Sequence, residues 1–203
     1  MNSQPRKAVT PKRTIILLAI ACLMGVVPLN ADIIAINNVG ASTNSVFPGQ
    51  SVTTPGGGPW SNLVFNWFGP GLSEEAAGTL YLLSQPYLGS PAALSNAVPG
   101  FIAAAGAVGD AYTFAPSVTL DPLTTYFFFN SQVLTISGNG DTYAGGNGYG
   151  AFSAAGSFFS SPAEDINFRL QGTAIPEPSS VVLLISAVGI SAWMCRRKSR
   201  LAR

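Results

Sequence analysis

The chain is poor in the side chains that most enzymes and metal sites use. Among its 203 residues there is no histidine, and its two cysteines, Cys22 and Cys195, lie near the two ends. The lack of histidine excludes Ser-His-Asp and Cys-His catalysis, and with cysteine confined to the ends it excludes the usual zinc and copper sites between them. The middle region also has no disulfide framework, so its stability must come from a hydrophobic core.

Positive charge is scarce in the same middle region. Between residues 32 and 175 the only basic residue is Arg169, against eight acidic residues, so the formal charge is 1 − 8 = −7 although the whole chain carries +1. Nucleic acids and anionic lipids require a positive patch, so we expect this region to bind neither. It also has no lysine, which excludes a lysine base or nucleophile.

The first 31 residues have the pattern of an export signal. Residues 1–14 carry four basic side chains, an apolar run of 13 residues (27 − 15 + 1) follows, and the segment ends on Ala31. A basic start, an apolar run of this length and a small residue at the cut are typical of a secretory signal peptide. We therefore predict that residues 1–31 form a signal peptide cleaved after Ala31, with an uncleaved anchor as the alternative.

The C-terminal segment has three parts in a fixed order. Pro176-Glu177-Pro178 comes first, an apolar run follows, and a basic cluster ends the chain with Arg196, Arg197, Lys198 and Arg200. The run from Ser179 to Cys195 has 17 residues (195 − 179 + 1). As a helix it spans roughly 25 Å, slightly less than the hydrocarbon core of about 30 Å. We predict a short transmembrane helix whose basic cluster stays on the cytoplasmic side.

This order of parts resembles the PEP-CTERM sorting signal of exported proteins in Gram-negative bacteria. In that family an exosortase, a membrane protease-transpeptidase, recognises the Pro-Glu-Pro triplet and cuts the protein from its helix. The resemblance implies that residues 176–203 form a sorting signal, that Pro176, Glu177 and Pro178 are recognised, and that an exosortase is the partner. It also implies export across the inner membrane, temporary anchoring, and then a place at the cell surface or outside the cell. The alternative is an ordinary tail anchor.

Residues 32–175 have the composition of a β protein. They hold 20 of the 22 glycines, 10 of the 15 prolines and 20 of the 21 aromatic residues. Aromatic and β-branched runs bounded by Gly, Pro, Asn and Asp indicate strands and turns. Strands are predicted at 63–68, 79–83, 111–114, 117–120, 124–129, 133–136 and 165–171. We predict an all-β, two-sheet antiparallel β-sandwich of jelly-roll type, flanked by the signal helix and the transmembrane helix.

Three segments give more specific predictions. Residues 126–129 are apolar on both faces, which indicates a central strand. Polar and apolar residues alternate along 165–171, which indicates a half-buried strand. Its solvent-exposed face is predicted to carry Asp165, Asn167, Arg169 and Gln171. On that face we expect Arg169 to pair with an acid from a neighbouring strand. Residues 101–108 are rich in Ala and Gly, so we expect a loop with one short strand.

A looser resemblance covers most of this region. Residues 51–58, 80–82, 120–127 and 167–170 are similar to segments of the "choice-of-anchor" ectodomains, which are surface β-sandwiches attached to various anchoring signals. That family has no established catalytic residues, so the resemblance implies none here.

The sequence allows three kinds of site. For Trp60, Tyr87, Tyr143 and Tyr149 core or loop packing is expected; the alternative, with Trp60, Tyr143 and Tyr149 as its candidates, is that exposed rings stack on sugar rings. The acid pairs Glu74-Glu75 and Glu164-Asp165 are expected to be solvated turn residues, with a carboxylate-dependent glycosidase as the less favoured interpretation. Residues 137–148 are expected to form a hairpin loop; the alternative is a calcium site, which needs six to eight oxygen ligands.

The sequence therefore favours an exported, non-catalytic protein of the cell surface or extracellular matrix, with no cofactor or metal. The alternative is a carbohydrate-binding module for extracellular polysaccharide.

Overall fold

The computed structural model describes residues 31–40, 42–138 and 140–175. Their regular structure is all β apart from two short 3-10 helices, at Pro70–Leu72 and Pro91–Ala93. The all-β prediction is thus confirmed for this part of the chain. The described strands are β1 Asp32–Asn37, β2 Ser42–Thr53, β3 Trp60–Phe68, β4 Glu74–Glu75, β5 Thr79–Leu83, β6 Phe101–Val108, β7 Ala111–Thr113, β8 Thr125–Asn130, β9 Leu134–Gly138, β10 Gly148–Ala151, β11 Phe159–Ser161 and β12 Phe168–Ala174.

The predicted signal helix within residues 1–30 and the predicted transmembrane helix within 176–203 lie outside the described residues. Within the described ranges, no helix is both long enough and apolar enough to cross a bilayer.

The strands form a continuous antiparallel sheet that curls on itself. Its order is β1-β12-β3-β7-β6-β5-β8-β2-β10-β11, with β4 added to β3 and β9 added to β2. Three strands separate β3 from β8 in this order, yet Phe65 of β3 stacks on Phe128 of β8 with ring centroids 4.7 Å apart. The concave face of the curl therefore encloses the main core.

That main core is built around Phe65. Its ring also lies 4.6 Å from Trp67 and 5.7 Å from Phe168, and all three residues are fully buried. Each buried aromatic side chain removes about 150–250 Å² from water, which makes such clusters dominant in core energetics. This core provides the stability that residues 32–175, which contain no cysteine, need.

A second apolar cluster covers the other face of β8. Phe129 packs 4.8 Å from Phe158, and both are buried with Phe47, Leu83 and Leu94. Segments 84–100 and 152–158 cover this cluster and are joined by a hydrogen bond from the amide of residue 92 to the carbonyl of residue 154. Strand β8 is buried on both faces, so its prediction as a central strand is confirmed.

Two strand predictions were wrong. Residues 101–108 form an eight-residue strand, because β5 on one side and β7 on the other satisfy its backbone hydrogen bonds despite the Ala and Gly content. Residues 117–120 form no strand. The segment begins in a turn, in which the Val118 amide donates to the Ala115 carbonyl, and it pairs only through an isolated β-bridge between Leu120 and Trp60.

The solvent-exposed face predicted for residues 165–171 is partly buried in the structure. Phe168 and Leu170 are buried as expected, but Asp165 is 2% exposed and Asn167 is fully buried. The Asn167 amide donates to the Ser137 hydroxyl at 2.9 Å, and Asp165 accepts from a glutamine side chain of β2. These partners remove the need for solvent, so Asp165 is not the solvated turn acid that its sequence context suggested.

Candidate ligand-binding cleft

The three aromatic candidates for sugar contact do not meet at the surface. Trp60 and Tyr149 are each only 7% exposed, which agrees with the favoured interpretation of packing. The Tyr149 ring packs 5.2 Å from Phe129 in the second apolar cluster, and Trp60 lies in the main core. Tyr143 is half-buried; its ring makes an edge-to-face contact with Phe168, with centroids 5.1 Å apart, and its hydroxyl donates to the carbonyl of residue 53 at 3.3 Å. All three rings therefore serve in packing.

A cleft of about 130 Å³ lies instead between the first half of β2 and strands β9, β10 and β11. Val46 and Ile136 form its apolar floor. Along β10, Gly148 and Gly150 alternate with two residues whose side chains fill the second apolar cluster. Because Gly148 has no side chain, the Glu164 carbonyl can approach β10 closely; an added Cβ atom would come within 2.3 Å of it.

Two exposed aromatic rings border this cleft. Phe152 is 77% exposed and Phe159 is 43% exposed, with centroids 5.2 Å apart and an angle of 32° between the rings. The Phe159 ring lies over Gly150, where an added Cβ atom would come within 3.3 Å of it. The preceding residue, Phe158, is buried in the second apolar cluster on the opposite face. Alternation along the extended chain thus directs Phe159 into the cleft.

Polar side chains complete the border. Ser42 and Asn44 project from β2, while Ser161 and Glu164 lie on the β11 side. The Ser161 hydroxyl is 3.5 Å from the Glu164 carboxylate, and Glu164 is exposed. The cleft therefore combines an apolar floor, two aromatic rings, neutral hydrogen-bonding groups and one exposed negative charge.

Asp165 lies behind this border and is fully engaged. One carboxylate oxygen accepts from the Gln50 side chain at 2.9 Å, and the other accepts from the Tyr143 amide at 2.8 Å. The Gln50 side-chain oxygen in turn accepts from the Ile166 amide at 3.0 Å. These bonds fix the segment that carries Glu164 against β2, and they occupy both oxygens of Asp165.

The one ion pair among the described residues lies away from the cleft. Arg169 pairs with Glu74 of β4, which confirms the predicted cross-strand ion pair. Asn66 of β3 bonds to both, accepting from Arg169 at 3.3 Å and donating to Glu74 at 2.9 Å. Glu74 is therefore a paired strand residue rather than a solvated turn acid.

The calcium alternative concerned residues 137–148, of which the structure describes all but Asn139. Over the described part of the chain, no group of three or more Asp, Glu, His or Cys residues is arranged to hold a metal ion. The loop runs alongside β2, where the Ser51 and Thr53 amides donate to the Asn147 and Gly145 carbonyls, each at 2.9 Å.

Sequence reasoning missed Phe152 and Phe159. The available signal was a run of five small residues, 153–157, bounded by phenylalanines on both sides. Such a run offers no local apolar partner for the rings, which favours exposure for some of them. Which of Phe158 and Phe159 is exposed depends on the register of β11, and that is a tertiary property.

Pro176, Glu177 and Pro178 of the predicted sorting signal, and the basic cluster Arg196, Arg197, Lys198 and Arg200, lie outside the described residues. No known family model, no curated protein and no solved structure matches this chain.

Proposed function

We propose that the chain is an exported, non-catalytic protein of the cell surface or extracellular matrix, processed by an exosortase at Pro176-Glu177-Pro178. The observation that carries the proposal is the partition of charge. Nine of ten basic residues lie within residues 1–31 and 176–203, where a signal peptide and a stop-transfer cluster need them. The region between them carries a net negative charge, which favours its solubility outside the membrane.

The position of the triplet agrees with recognition by a processing enzyme. Strand β12 ends at Ala174, and the Ile175 amide donates to the Pro59 carbonyl at 2.8 Å. Pro176 therefore directly follows a residue hydrogen-bonded to the folded region. Proline at 176 and 178 disfavours both helix and sheet pairing, which favours an extended segment that an enzyme can bind.

We also propose that the curled sheet is a two-sheet sandwich of jelly-roll type. In this proposal β1, β12, β3 and β7 form one layer, and β5, β8, β2 and β10 form the other. Strand β6 pairs with β7 on one side and β5 on the other, and so connects the two layers at one edge. The support is the core, where Phe65 and Phe168 from the first group pack with Phe128 from the second. A jelly-roll arrangement is common among surface β-domains.

The processing proposal is tested by expressing the full chain in a Gram-negative host that encodes an exosortase and in the same host with that enzyme deleted. We expect the mature protein to lack its C-terminal helix only in the first host, as measured by intact mass. Replacing Pro176, Glu177 and Pro178 together by Ala should block this cut, whereas the control substitutions Ser179→Ala and Ser180→Ala should not. Identical intact masses in both hosts would overturn the proposal.

A second candidate function, carbohydrate binding, is favoured by a separate observation. Phe152 and Phe159 are exposed aromatic residues at the border of a cleft with an apolar floor and a polar rim, an arrangement suited to a sugar ring. Glycoside hydrolysis is less favoured, because it requires two available carboxylates and both oxygens of Asp165 beside Glu164 are engaged.

A further inference from the structure

We propose that the cleft bordered by Phe152, Phe159 and Glu164 binds one uncharged or amino-bearing pyranose unit of a polysaccharide and discriminates against anionic sugars. We call it the Phe152 cleft. This inference rests on the second candidate function and adds the chemical class of the ligand. It is independent of how the C-terminus is processed.

The two aromatic rings supply an apolar surface of the kind that a sugar ring covers. Phe152 exposes 77% of its surface next to the 43% exposed Phe159, and the ring centroids are 5.2 Å apart. Two large exposed apolar groups in contact form a patch whose removal from water is favourable. The C–H face of a pyranose ring can cover both while its hydroxyl groups remain at the rim. A fully apolar ligand would leave the polar rim unpaired.

The size of the cleft limits the ligand to one ring. The cleft holds about 130 Å³. An engineered protein cavity of about 150 Å³ accommodates benzene, whereas drug-sized ligands occupy pockets of roughly 300–1,000 Å³. The Phe152 cleft therefore fits one six-membered ring, with the rest of a polysaccharide continuing along the surface.

Hydrogen-bonding groups lie on two sides of the cleft. The Asn44 side chain offers both a donor and an acceptor on the β2 side, and the Ser161 hydroxyl offers both on the opposite side. Glu164 adds an acceptor, since its carboxylate is exposed and the Ser161 hydroxyl lies 3.5 Å from it. A sugar ring between the two sides presents hydroxyl groups toward both.

Negative charge sets the selectivity of the cleft. Residues 32–175 carry a formal charge of −7, and among the described residues that line the cleft none is basic. The one basic residue of that region, Arg169, is paired with Glu74. A uronic acid or a sulfated sugar would meet Glu164 without a compensating cation, so it is repelled. An amino sugar gains an exposed ion pair, which corresponds to about a two- to five-fold tighter Kd.

The test uses the full-length chain in a nonionic ethylene-oxide detergent, because detergents with sugar headgroups would compete. Calorimetric titration at low ionic strength compares three β-1,4-linked hexasaccharides, built from glucose, glucosamine and glucuronic acid. We expect the first two to bind, the glucosamine oligomer more tightly, and the glucuronic acid oligomer to bind at least about ten-fold more weakly. Salt should remove the preference for glucosamine.

Variants assign the effects to residues. Phe152→Ala and Phe159→Ala should each weaken binding of the glucose oligomer about ten-fold or more. Glu164→Gln should remove the preference for glucosamine and weaken glucose binding less than either phenylalanine substitution does, because the glutamine side-chain oxygen can still accept a hydrogen bond. Val108→Ala is the matched control, because Val108 is 76% exposed on β6 and does not line the cleft. Circular dichroism spectra and Tm values check that each variant is folded.

The outcomes separate two failures. If none of the three oligosaccharides binds, the second candidate function fails and the inference fails with it. If they bind but the two phenylalanine variants bind equally well, or if all three sugars bind alike, carbohydrate binding stands and the Phe152 cleft as its charge-selective site is overturned.

Discussion

At the residue scale, Asp165 shows how a buried charge organises the region behind the Phe152 cleft. Its two oxygens accept from Gln50 of β2 and from the Tyr143 amide. The Gln50 side chain also accepts from the Ile166 amide, so one glutamine holds both Asp165 and the residue after it. A buried carboxylate is tolerated where such donors replace its hydration.

Asp165→Asn is therefore expected to destabilise the fold by about 1–3 kcal/mol. The substitution replaces one acceptor oxygen by an N–H₂ group, which then faces a donor from either Gln50 or Tyr143. Urea denaturation, read as a shift in the midpoint at unchanged slope, measures the effect. Asp141→Asn is the control, because Asp141 is exposed and its replacement should change stability by less than about 0.5 kcal/mol. Equal midpoints for the two variants would contradict the role assigned to Asp165.

Tyr112 is a second residue whose burial has a measurable consequence. It is fully buried, its hydroxyl donates to the Ala77 carbonyl at 2.8 Å, and it accepts from the Ala77 amide at 2.9 Å. Burial raises the pKa of Tyr112 from 10.0 to about 12, although hydrogen bonding opposes the rise. Burial likewise raises the pKa of Tyr143 to about 12, with the negative charge of Asp165 adding to the effect.

The raised pKa of Tyr112 predicts instability in base. Above pH 10.0 the unfolded state releases the Tyr112 proton while the folded state keeps it, so the contribution to stability is complete below pH 10 and is lost as pH rises through about 12. Between about pH 9 and pH 11.5, Tyr112 alone should lower the free energy of unfolding by about 2 kcal/mol. Chemical denaturation at both pH values measures this loss. It should shrink in Tyr112→Phe and persist in the control Tyr81→Phe; an unchanged loss in Tyr112→Phe would contradict the assignment.

At the element scale, a polar cluster joins three strands outside the main core. Asn66 of β3 is hydrogen-bonded to both Arg169 of β12 and Glu74 of β4, which form an ion pair, and the Arg169 guanidinium lies 5.7 Å from the Phe68 ring centroid. The side chains of Arg169 and Glu74 are 26% and 36% exposed, so solvent weakens their attraction. Their joint effect is to fix the short strand β4 against β3.

A double-mutant cycle with Arg169→Met and Glu74→Gln should give a coupling energy of about 0.5–1 kcal/mol, measured by urea denaturation. Salt near 1 M should reduce the coupling, since exposed charges are screened at that concentration. A second cycle, with Glu75→Gln in place of Glu74→Gln, is the control, because Glu75 is the adjacent acid on the same short strand. A larger coupling of Arg169 to Glu75 than to Glu74 would show that the observed pairing is not the one that matters for stability.

The strands differ in how far the sequence can predict them. Residues 126–129 are predictable as a central strand because all four side chains are aromatic, so both faces must be covered. Strand β6 could not be predicted, since Ala and Gly carry little strand preference and the pairing with β5 and β7 decides its structure. Local patterns identify a strand only when its own side chains supply the reason for pairing.

Strand β2 shows most clearly where strand prediction from local sequence fails, because it contains Pro48 and Gly49 yet lies inside the sheet. Its first half pairs with β9 up to Val46, and its second half pairs with β8 from Gly49 onward. Pro48 therefore falls in the gap between these two ladders, where its missing N–H costs no bond on that side. At Gly49 a Cβ atom would collide with the Phe129 ring, so the glycine is required for close packing. Neither condition is visible before the partners are known.

The position of the Phe152 cleft likewise depends on strand pairing that the sequence does not show. Its border comes from residues far apart in the sequence, with Asn44 on β2 and Phe159 on β11. Both strands pair with β10, and only that shared neighbour brings them together. The charge of the site was predictable, because the lack of basic residues is a property of the sequence. The position of the site was not.

At the scale of the whole molecule, the two ends of the described region pair with each other. Strand β1 is antiparallel to β12, and β12 lies between β1 and β3 in the sheet. The last described strand is thus an interior strand. Its loss would separate β1 from β3, whereas the loss of an edge strand would only narrow the sheet. Since no cysteine occurs between residues 32 and 175, no disulfide within this region supports the closure, which depends on noncovalent contacts.

A fragment comprising residues 31–175 is therefore expected to fold by itself. It should show the circular dichroism spectrum of a β protein and a single cooperative thermal transition, because a region of this size buries about 68–70% of its unfolded surface. Its Tm should be unchanged by dithiothreitol, as no disulfide contributes. A fragment of residues 31–165 is the matched control: without β12, both β1 and β3 lose a partner strand, and Phe65 and Leu63 lose the cover of Phe168 and Leu170. A cooperative transition in the shorter fragment, or its absence in the longer one, would show that the fold does not depend on this closure.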